Sequence, residues 1–320
     1  MRRPADSVSA GRLVSAPGPL RASIGGSSTL AEKPELDQRV INELDTADGL
    51  SADPAAPLGT PVTPGVRPEP PRYDLSYRDA FWRERGYEDR CDRLSLRALL
   101  PASGGRLLDI GAGFGRLADE YGAFDRVTLA DASPEMRDAA REHVGADPRF
   151  EIVAAEADAL PFADASFDVV VAVRLVLHLR DPLPLFREVH RVLRPGGTFI
   201  VEFPNRRHLL AVVRHLIGRQ SWSPTGLEPH EYLEDHFAHQ PARVQRQLRA
   251  AGLEPDAVRA VSLFRSRWLK QRVAAHTLAA IEAPFQALLG PLVPGPSVYV
   301  RARRIDQTPA SSVEATRPEG

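Results

Sequence analysis

The sequence is poor in cysteine and in lysine, and each shortage excludes a class of site. Cys91 is the only cysteine among 320 residues, so the chain forms no internal disulfide and no cysteine-ligated zinc site. The only lysines are Lys33 and Lys270, neither of which lies near a glycine-rich loop; this excludes a phosphate loop ending in Gly-Lys-Ser/Thr. A single cysteine fits a reducing compartment, and we expect the cytoplasm.

Long apolar runs and an excess of one charge are also missing. The most apolar stretch, 169–179, is too short to cross a bilayer and contains Arg174 and His178. The amino terminus reads Met-Arg-Arg-Pro without an apolar core behind it, which argues against a secretory signal. The formal net charge is -1, so no global field attracts nucleic acid or an anionic membrane. We therefore expect no membrane span, and the charge makes no strong case for a nucleic-acid partner.

Composition divides the chain into three parts. Residues 1–71 are rich in Pro, Ala, Gly and Ser and poor in aromatics, which predicts a disordered arm. Within this arm, 35–44 has the pattern of a short helix that could dock on a partner, with a solvated tail as the alternative. Residues 72–304 are predicted to form the folded domain, and 305–320 a loose polar tail.

The folded part alternates apolar strands with helical patterns, which is typical of a doubly wound α/β fold with a parallel sheet. The predicted strands are 107–110, 126–130, 150–153, 167–172, 198–203, 258–264 and 297–303. The predicted helices are 77–100, 134–143, 182–193, 208–218, 241–251 and 268–283, with an irregular stretch at 219–240.

The first of these strands runs into a glycine-rich turn and then into 117–121, which has the pattern of a helix start. A turn of this kind brings bare backbone and a helix N-terminus to one point, where a polar ligand can bind. A dinucleotide motif needs a third glycine at the position of Arg116, so it does not fit. The remaining pattern is Asp-x-Gly-x-Gly-x-Gly, with a plain tight turn as the alternative. Its residues are Asp109, Gly111, Gly113 and Gly115.

Acidic residues follow the next two strands. Ligands of an open parallel sheet bind at the carboxyl ends of its strands, so these ends belong together. Asp131 ends the second strand, 22 residues after Asp109, and an acid at that distance can accept hydrogen bonds from ribose hydroxyls. Asp158 follows the third strand and suits the exocyclic amine of an adenine. The alternatives are that Asp131 caps the helix beginning near Pro134 and that Asp158 is a solvated loop acid.

The neighbours of these acids complete the predicted nucleoside site. The backbone of Ala157 or Ala159 would meet the edge of the adenine ring, and Leu160 and Ala132 would enclose its faces.

Two further stretches, 157–170 and 186–197, together with the glycine motif, resemble class I S-adenosylmethionine (SAM) dependent methyltransferases of the small-molecule, ubiquinone/menaquinone type. The resemblance is good over 73–203 and loose beyond. It implies a seven-stranded Rossmann-like sheet whose last strand is antiparallel. It also implies SAM as cofactor, S-adenosylhomocysteine as product and a small molecule as methyl acceptor, under a roof formed by 72–100 and 205–250.

The resemblance also assigns roles to residues. It places the three motif glycines beneath the methionine part of SAM, Asp131 on the ribose and Asp158 on the adenine, while Asp109 adds negative potential near the sulfonium. The remaining predicted cofactor contacts flank the same strand ends. They are Ala112, Ala132, Ala157, Ala159 and Arg174.

A general base is needed only if the acceptor must lose a proton. His178, just beyond the fourth strand, is the candidate, with a structural histidine as the alternative. The histidines at 230, 236 and 239 stand among acids, but their spacing does not match a metal site, and a substrate-facing lid is the preferred interpretation. We therefore predict no metal.

Two other functions stay open at this point. One is a module that binds SAM without transferring its methyl group, and the other is an RNA or protein methyltransferase. The fourth strand is not followed by the Asn/Asp-Pro-Pro-Tyr turn of enzymes that methylate DNA amino groups. The basic segment 206–219 is interpreted as a solvated helix face, which needs no nucleic acid.

Overall fold

The structure is a computed structural model that describes Trp82, residues 85–264 and residues 266–305. The predicted arm at 1–71, the predicted roof residues 72–81 and the predicted tail beyond 305 lie outside the described residues.

A seven-stranded sheet forms the centre of the described chain. Its strands are β1 (Gly104–Ile110), β2 (Phe124–Asp131), β3 (Phe150–Ala154), β4 (Phe167–Ala172), β5 (Leu193–Pro204), β8 (Leu253–Val261) and β9 (Ser297–Arg304). They lie in the order β3-β2-β1-β4-β5-β9-β8, and β9 is antiparallel to both of its neighbours. The predicted doubly wound sheet with an antiparallel last strand is confirmed. The strand order reverses between β1 and β4, which places a crevice at their carboxyl ends.

Helices cover both faces of this sheet. They are α1 (Gly86–Leu99), α2 (Pro134–Val144), α3 (Leu183–Val192), α4 (Leu209–Leu216), α5 (Pro241–Ala250), α6 (Arg267–Arg272) and α7 (Ala275–Leu288). Successive residues of β4 point to opposite faces, so Val170 belongs to the core beneath α3 and α5, whereas Val169 and Val171 belong to the core beneath α1, α2 and α7. A strand buried on both faces explains the continuous apolar run of β4.

The prediction of a helix after the glycine turn is wrong. Residues 118–121 form only a four-residue 3₁₀ turn (Ala118–Tyr121), since Phe124 already begins β2 and buries its ring. Too few residues separate the glycine turn from that strand for an α-helix to form. The crevice therefore receives bare backbone from the glycine turn but no α-helix N-terminus.

Other boundaries also differ from the predictions. The irregular stretch at 219–240 contains a hairpin of β6 (His230–Leu233) and β7 (His236–Ala238). Strand β8 begins five residues before its predicted start, and the predicted helix 268–283 is divided into α6 and α7 by an extended residue, Val273. Across the described part of the chain, no helix combines the length and the hydropathy that a membrane span requires.

A buried acid on α7 fastens the roof helix α1 to the end of β8. Glu282 is fully buried and accepts hydrogen bonds from the backbone N–H groups of Ser262 (2.9 Å) and Leu263 (2.7 Å). The hydroxyl of Tyr87 on α1 donates to the same carboxylate and accepts from the N–H of Phe264 (2.9 Å). One carboxylate thus satisfies donors from two separate elements.

We expect Glu282→Ala to lower the free energy of unfolding by about 3 kcal/mol, because it leaves two backbone donors and one phenol without their acceptor. Glu142→Ala, an exposed change on α2, should alter stability by less than about 0.5 kcal/mol. Urea unfolding followed by circular dichroism measures both. Equal effects from the two variants would contradict the role assigned to Glu282.

Candidate functional site

The glycine turn after β1 presents one open stretch of backbone. Gly111, Gly113 and Gly115 all have positive φ, at 69°, 56° and 77°. A Cβ on Gly111 would lie 3.0 Å from the side chain of Leu175, and one on Gly115 would contact Leu129 at 3.4 Å, whereas one on Gly113 would meet nothing within 4 Å. Gly111 and Gly115 therefore permit packing, and Gly113 leaves space where a ligand can approach its backbone.

Asp131, at the end of β2, fastens this turn to the neighbouring strand. Its Oδ2 accepts from the N–H of Gly113 (2.8 Å), and its Oδ1 accepts from the N–H of Ser133 (2.9 Å). Burial raises the pKa of the Asp131 carboxyl, although both N–H bonds oppose that rise. The helix α2 is capped by the Ser133 hydroxyl, which accepts from the N–H of Met136, so capping does not require Asp131. Each carboxylate oxygen retains a lone pair that can accept from a ribose hydroxyl.

Asp109 lies beneath the turn and is 3% exposed. The hydroxyl of Tyr121 donates to its Oδ2 at 2.8 Å. Burial raises the pKa of Asp109 to about 7, and the negative charge of Asp131 adds to the rise. Because Tyr121 and the core cover this carboxyl, its influence on a bound cation acts through its field and requires the deprotonated form.

The third predicted contact region is the turn after β3. The N–H of Ala159 donates to the carbonyl of Glu156 (3.2 Å), which leaves Asp158 exposed at the tip of the turn. The N–H of Ala155 donates to the carbonyl of Asp131 (3.3 Å), so this turn starts beside the end of β2. Asp158 and Asp131 therefore flank the same edge of the sheet.

The predicted ring-enclosing role of Leu160 is wrong. Its side chain is 5% exposed and belongs to the core between the sheet and α3. Its N–H donates to the Glu188 carboxylate on that helix (2.9 Å). Ala132, which follows Asp131 in the chain, is exposed, and Ala157 is half-buried within the turn after β3.

Arg174 follows β4 in a strained conformation, with a φ of 62°. Its N–H donates to the carboxylate of Glu202 on β5 (3.0 Å), and its Nη2 donates to Asp92 of α1 (3.2 Å to Oδ2). Burial opposes the charged form of Arg174, but Asp92, Glu202 and Tyr299 together outweigh it and raise the pKa of the guanidinium. Its Nε is buried and has no acceptor among the described residues.

An ionic cluster that sequence reasoning missed connects α1 to the glycine turn. Arg116 donates to Asp92 (3.1 Å) and to Asp89, and its guanidinium lies 3.9 Å from the ring centre of Trp82. Asp92 is fully buried and forms ion pairs with two arginines. Arg116 comes from one side of the crevice and Arg174 from the other. Glu88, Asp92 and Ser95 lie at helical spacing on α1, but their burial, which marks them as more than a solvated face, is visible only in the structure.

His178 lies in a short 3₁₀ turn after β4, with its ring 4.8 Å from that of His236 on the β6–β7 hairpin. Burial and this neighbour lower the pKa of His178 to about 3, so its imidazole is neutral at physiological pH. The other lid histidines have structural contacts: His236 with the carbonyl of Glu234 (2.7 Å) and His239 with that of Val176 (3.2 Å). Among the residues that the structure describes, no group of three His, Cys, Asp or Glu side chains is arranged to hold a metal ion.

The sheet edge brings most of the predicted residues together. The open backbone of Gly113, the carboxylate of Asp131, the turn carrying Asp158 and the half-buried guanidinium of Arg174 all follow the carboxyl ends of β1 to β4. Their chemistry fits SAM: hydroxyl acceptors for a ribose, unobstructed backbone for the amino-acid portion and a cation for its carboxylate. The contacts themselves stay predictions.

Comparison with known proteins points to one family. A family model described as a methyltransferase domain matches residues 108–201. The 27-O-demethylrifamycin SV methyltransferase of Amycolatopsis mediterranei is 33% identical over 224 residues, which are 63% of this chain and 77% of that protein. The phosphatidylethanolamine N-methyltransferase of Cereibacter sphaeroides is 34% identical over 152 residues, or 46% of this chain and 71% of that protein.

Other similarities cover less or show only the fold. The ubiquinone/menaquinone biosynthesis C-methyltransferase of Geotalea uraniireducens is 32% identical over 145 residues, 43% of this chain. The matched region spans only 60% of that relative. A SAM-dependent methyltransferase structure from Thermotoga maritima, described as a possible histamine N-methyltransferase, superimposes with a TM-score of 0.50 at 18% identity, covering 72% of this chain and 96% of that one.

The buried carboxyl of Asp109 predicts a specific pH dependence. Its folded pKa of about 7 lies above the ordinary 3.8, so between those values the folded state binds a proton that the unfolded state has lost. Its contribution to stability is therefore present near pH 4 and disappears as the pH rises through 7. We expect D109N, which does not titrate, to gain up to about 4 kcal/mol relative to the wild type between pH 4 and 8.

Urea unfolding at several pH values checks this difference. Asp125→Asn changes an exposed acid at the other end of β2, and its free energy of unfolding should change with pH as that of the wild type does. If the free energy of unfolding of D109N also follows the wild type, the carboxyl of Asp109 titrates normally in the folded protein.

Proposed function

The chain belongs to the class I SAM-dependent methyltransferases, and from that premise we propose that it transfers the methyl group of SAM to an oxygen, nitrogen or carbon nucleophile of a small molecule. The observation that carries the proposal is the sheet edge where the open backbone of Gly113 and the carboxylate of Asp131 meet. The names of the relatives described above concern a rifamycin, a phospholipid and ubiquinone/menaquinone biosynthesis, which favours a small acceptor.

When bound, SAM supplies a methyl group already activated on a sulfonium, so the protein mainly has to align two reactants and exclude water. We assign Asp131 to the ribose hydroxyls, Asp158 to the adenine amine, and the Gly111–Gly115 turn with Ala112 to the amino-acid portion. Arg174 would receive the carboxylate through its unused donor. Asp109 would favour the sulfonium cation by its field once it is deprotonated.

His178 is proposed to face the acceptor. Its role there depends on how readily its imidazole takes up a proton. Burial disfavours the imidazolium form, so taking up a proton there is costly, whereas a neutral ring can hydrogen-bond an acceptor hydroxyl or amine. We therefore assign His178 to orienting the acceptor rather than to storing its proton. The cytoplasm is the proposed location, since the single cysteine, Cys91, is a free buried thiol.

Methyl-labelled SAM incubated with fractionated extract tests the proposal. We expect label to appear in the small-molecule fraction together with S-adenosylhomocysteine, and Asp131→Ala to suppress both. Label confined to protein or RNA would identify a macromolecule methyltransferase instead. Bound SAM without turnover in any fraction would indicate a non-catalytic module.

We expect Asp131→Ala to weaken SAM binding by about 1–3 kcal/mol, because it removes the acceptor of the ribose hydroxyls and of the Gly113 N–H. Asp125→Ala, at the opposite end of the same strand, should leave the affinity unchanged. Isothermal titration calorimetry gives both values. Unchanged affinity in Asp131→Ala would remove this residue from the site.

The variant His178→Ala should show whether His178 lies in the acceptor half or in the cofactor half of the site. If His178 faces the acceptor, SAM affinity should stay within about two-fold of the wild type, since a residue without contact to a ligand contributes little to its binding. The same calorimetric titration measures it. A loss as large as that expected for Asp131→Ala would place His178 against the cofactor.

A further inference from the structure

Helix α4 turns its apolar face away from the other residues that the structure describes. Within Leu209–Leu216 only Ala211 is fully buried. The exposed side chains recur at positions i, i+1, i+4, i+7 and i+8, the spacing of one helix face, which normally packs on a core. They are Leu209 (61% exposed), Leu210 (42%), Val213 (42%), Leu216 (77%) and Ile217 (58%). We call these five side chains the α4 face.

The α4 face continues onto a second exposed apolar segment. The N–H of Leu209 donates to the carbonyl of Pro294 (2.9 Å), which brings the start of α4 beside the end of the 3₁₀ turn that follows α7. Leu292, two residues before Pro294, is 71% exposed, and Leu288 is 70% exposed. Exposed apolar side chains on two adjoining segments are a feature of interaction sites rather than of an ordinary surface.

The charge around the α4 face has one sign. Residues 205–227 contain four arginines and no aspartate or glutamate, although the whole chain has a formal net charge of -1. Arg207 precedes the face and Arg219 follows it, and both are exposed. Arg206 does not belong to this surface, because it is buried and donates to the carbonyls of Ser223 and Glu228, which corrects its interpretation as part of a solvated helix face.

From the outward apolar face and the acid-free basic segment around it, we propose that α4 docks on an anionic lipid surface. The five apolar side chains would enter the boundary between headgroups and acyl chains, while Arg207 and Arg219 remain among the phosphates. An interfacial helix has this combination of an apolar face with flanking arginines. The helix follows β5 at the carboxyl edge of the sheet, so docking would place that edge toward the lipid.

The alternative to a lipid surface is that an acidic segment of this chain covers the α4 face. Residues 32–48 of this chain carry six acidic and two basic residues, with Leu36, Val40 and Ile41 at helical spacing. The lipid surface is favoured because the α4 face projects outward at its most exposed side chains, Leu216 and Ile217, where a flat partner can receive them. The experiment below distinguishes the two occupants.

Flotation of the full chain with vesicles of phosphatidylcholine, with or without phosphatidylglycerol, tests the proposal independently of any methyl transfer. We expect binding only to the vesicles that contain phosphatidylglycerol, and a decrease as salt increases. Leu216→Gln should reduce partitioning by on the order of ten-fold, since it removes the most exposed apolar side chain of the face.

Ile305→Gln is the matched control. Ile305 is 45% exposed and follows β9 at the amino edge of the sheet, where its N–H donates to the carbonyl of Gly252. It should bind vesicles as the wild type does, and both variants should unfold at the wild-type temperature, because both side chains lie at the surface.

Three results would overturn the proposal. The first is that the full chain floats with neither vesicle, and the second is that Leu216→Gln and Ile305→Gln bind alike. The third is that binding appears only in a full chain carrying Leu36→Gln and Val40→Gln, which would assign the α4 face to the acidic segment instead.

Discussion

A single buried carboxylate, that of Asp92, organises the crevice. It lies on α1 and binds Arg116 from the turn after β1 and Arg174 from the segment after β4. These two segments lie on either side of the point where the strand order reverses. Removing three charged groups from water costs about as much as their attraction returns, so the cluster contributes little net stability. What it fixes is position: the roof helix cannot move without breaking two ion pairs that border the site.

The same buried surroundings decide the electrostatics of the cofactor half. The negative charge of Asp131 raises the cost of ionising Asp109, and burial raises the pKa of both carboxyls. A bound cation would relieve that cost. Burial also raises the pKa of Glu202, but the N–H of Arg174 and the hydroxyl of Ser297 donate to its carboxylate, which gives it a structural role.

Local sequence patterns were sufficient for the sheet and for the residues at its strand ends. Asp109, Gly113, Asp131 and Asp158 could be predicted because the end of a parallel strand fixes where the next residues stand. The pattern failed at Ala118–Tyr121, where the start of β2 leaves too little chain for a helix. It also failed at Leu160, because an apolar residue beside a site and an apolar residue in the core look alike in sequence.

The Asp92 cluster was out of reach for a different reason. Its members are separated by up to 82 residues, and a charged residue on a predicted helix is usually a solvated one. Only tertiary packing reveals that this acid is buried and that the arginines meet it. Long-range ion pairs of this type leave no periodic signal, so they become visible when the fold is known.

The roof over the acceptor side is attached in another way, and this explains why the sequence says so little about the acceptor. Asn205 donates to the carbonyls of Val293 and Gly295, and His239 contacts that of Val176. Each attachment joins one side chain to backbone that any residue could provide. Side chains between these anchor points can therefore change without disturbing the sheet or the cofactor edge. The proposed acceptor roof can therefore vary in 205–240, whereas the strand ends carry the proposed contacts with one ligand, SAM.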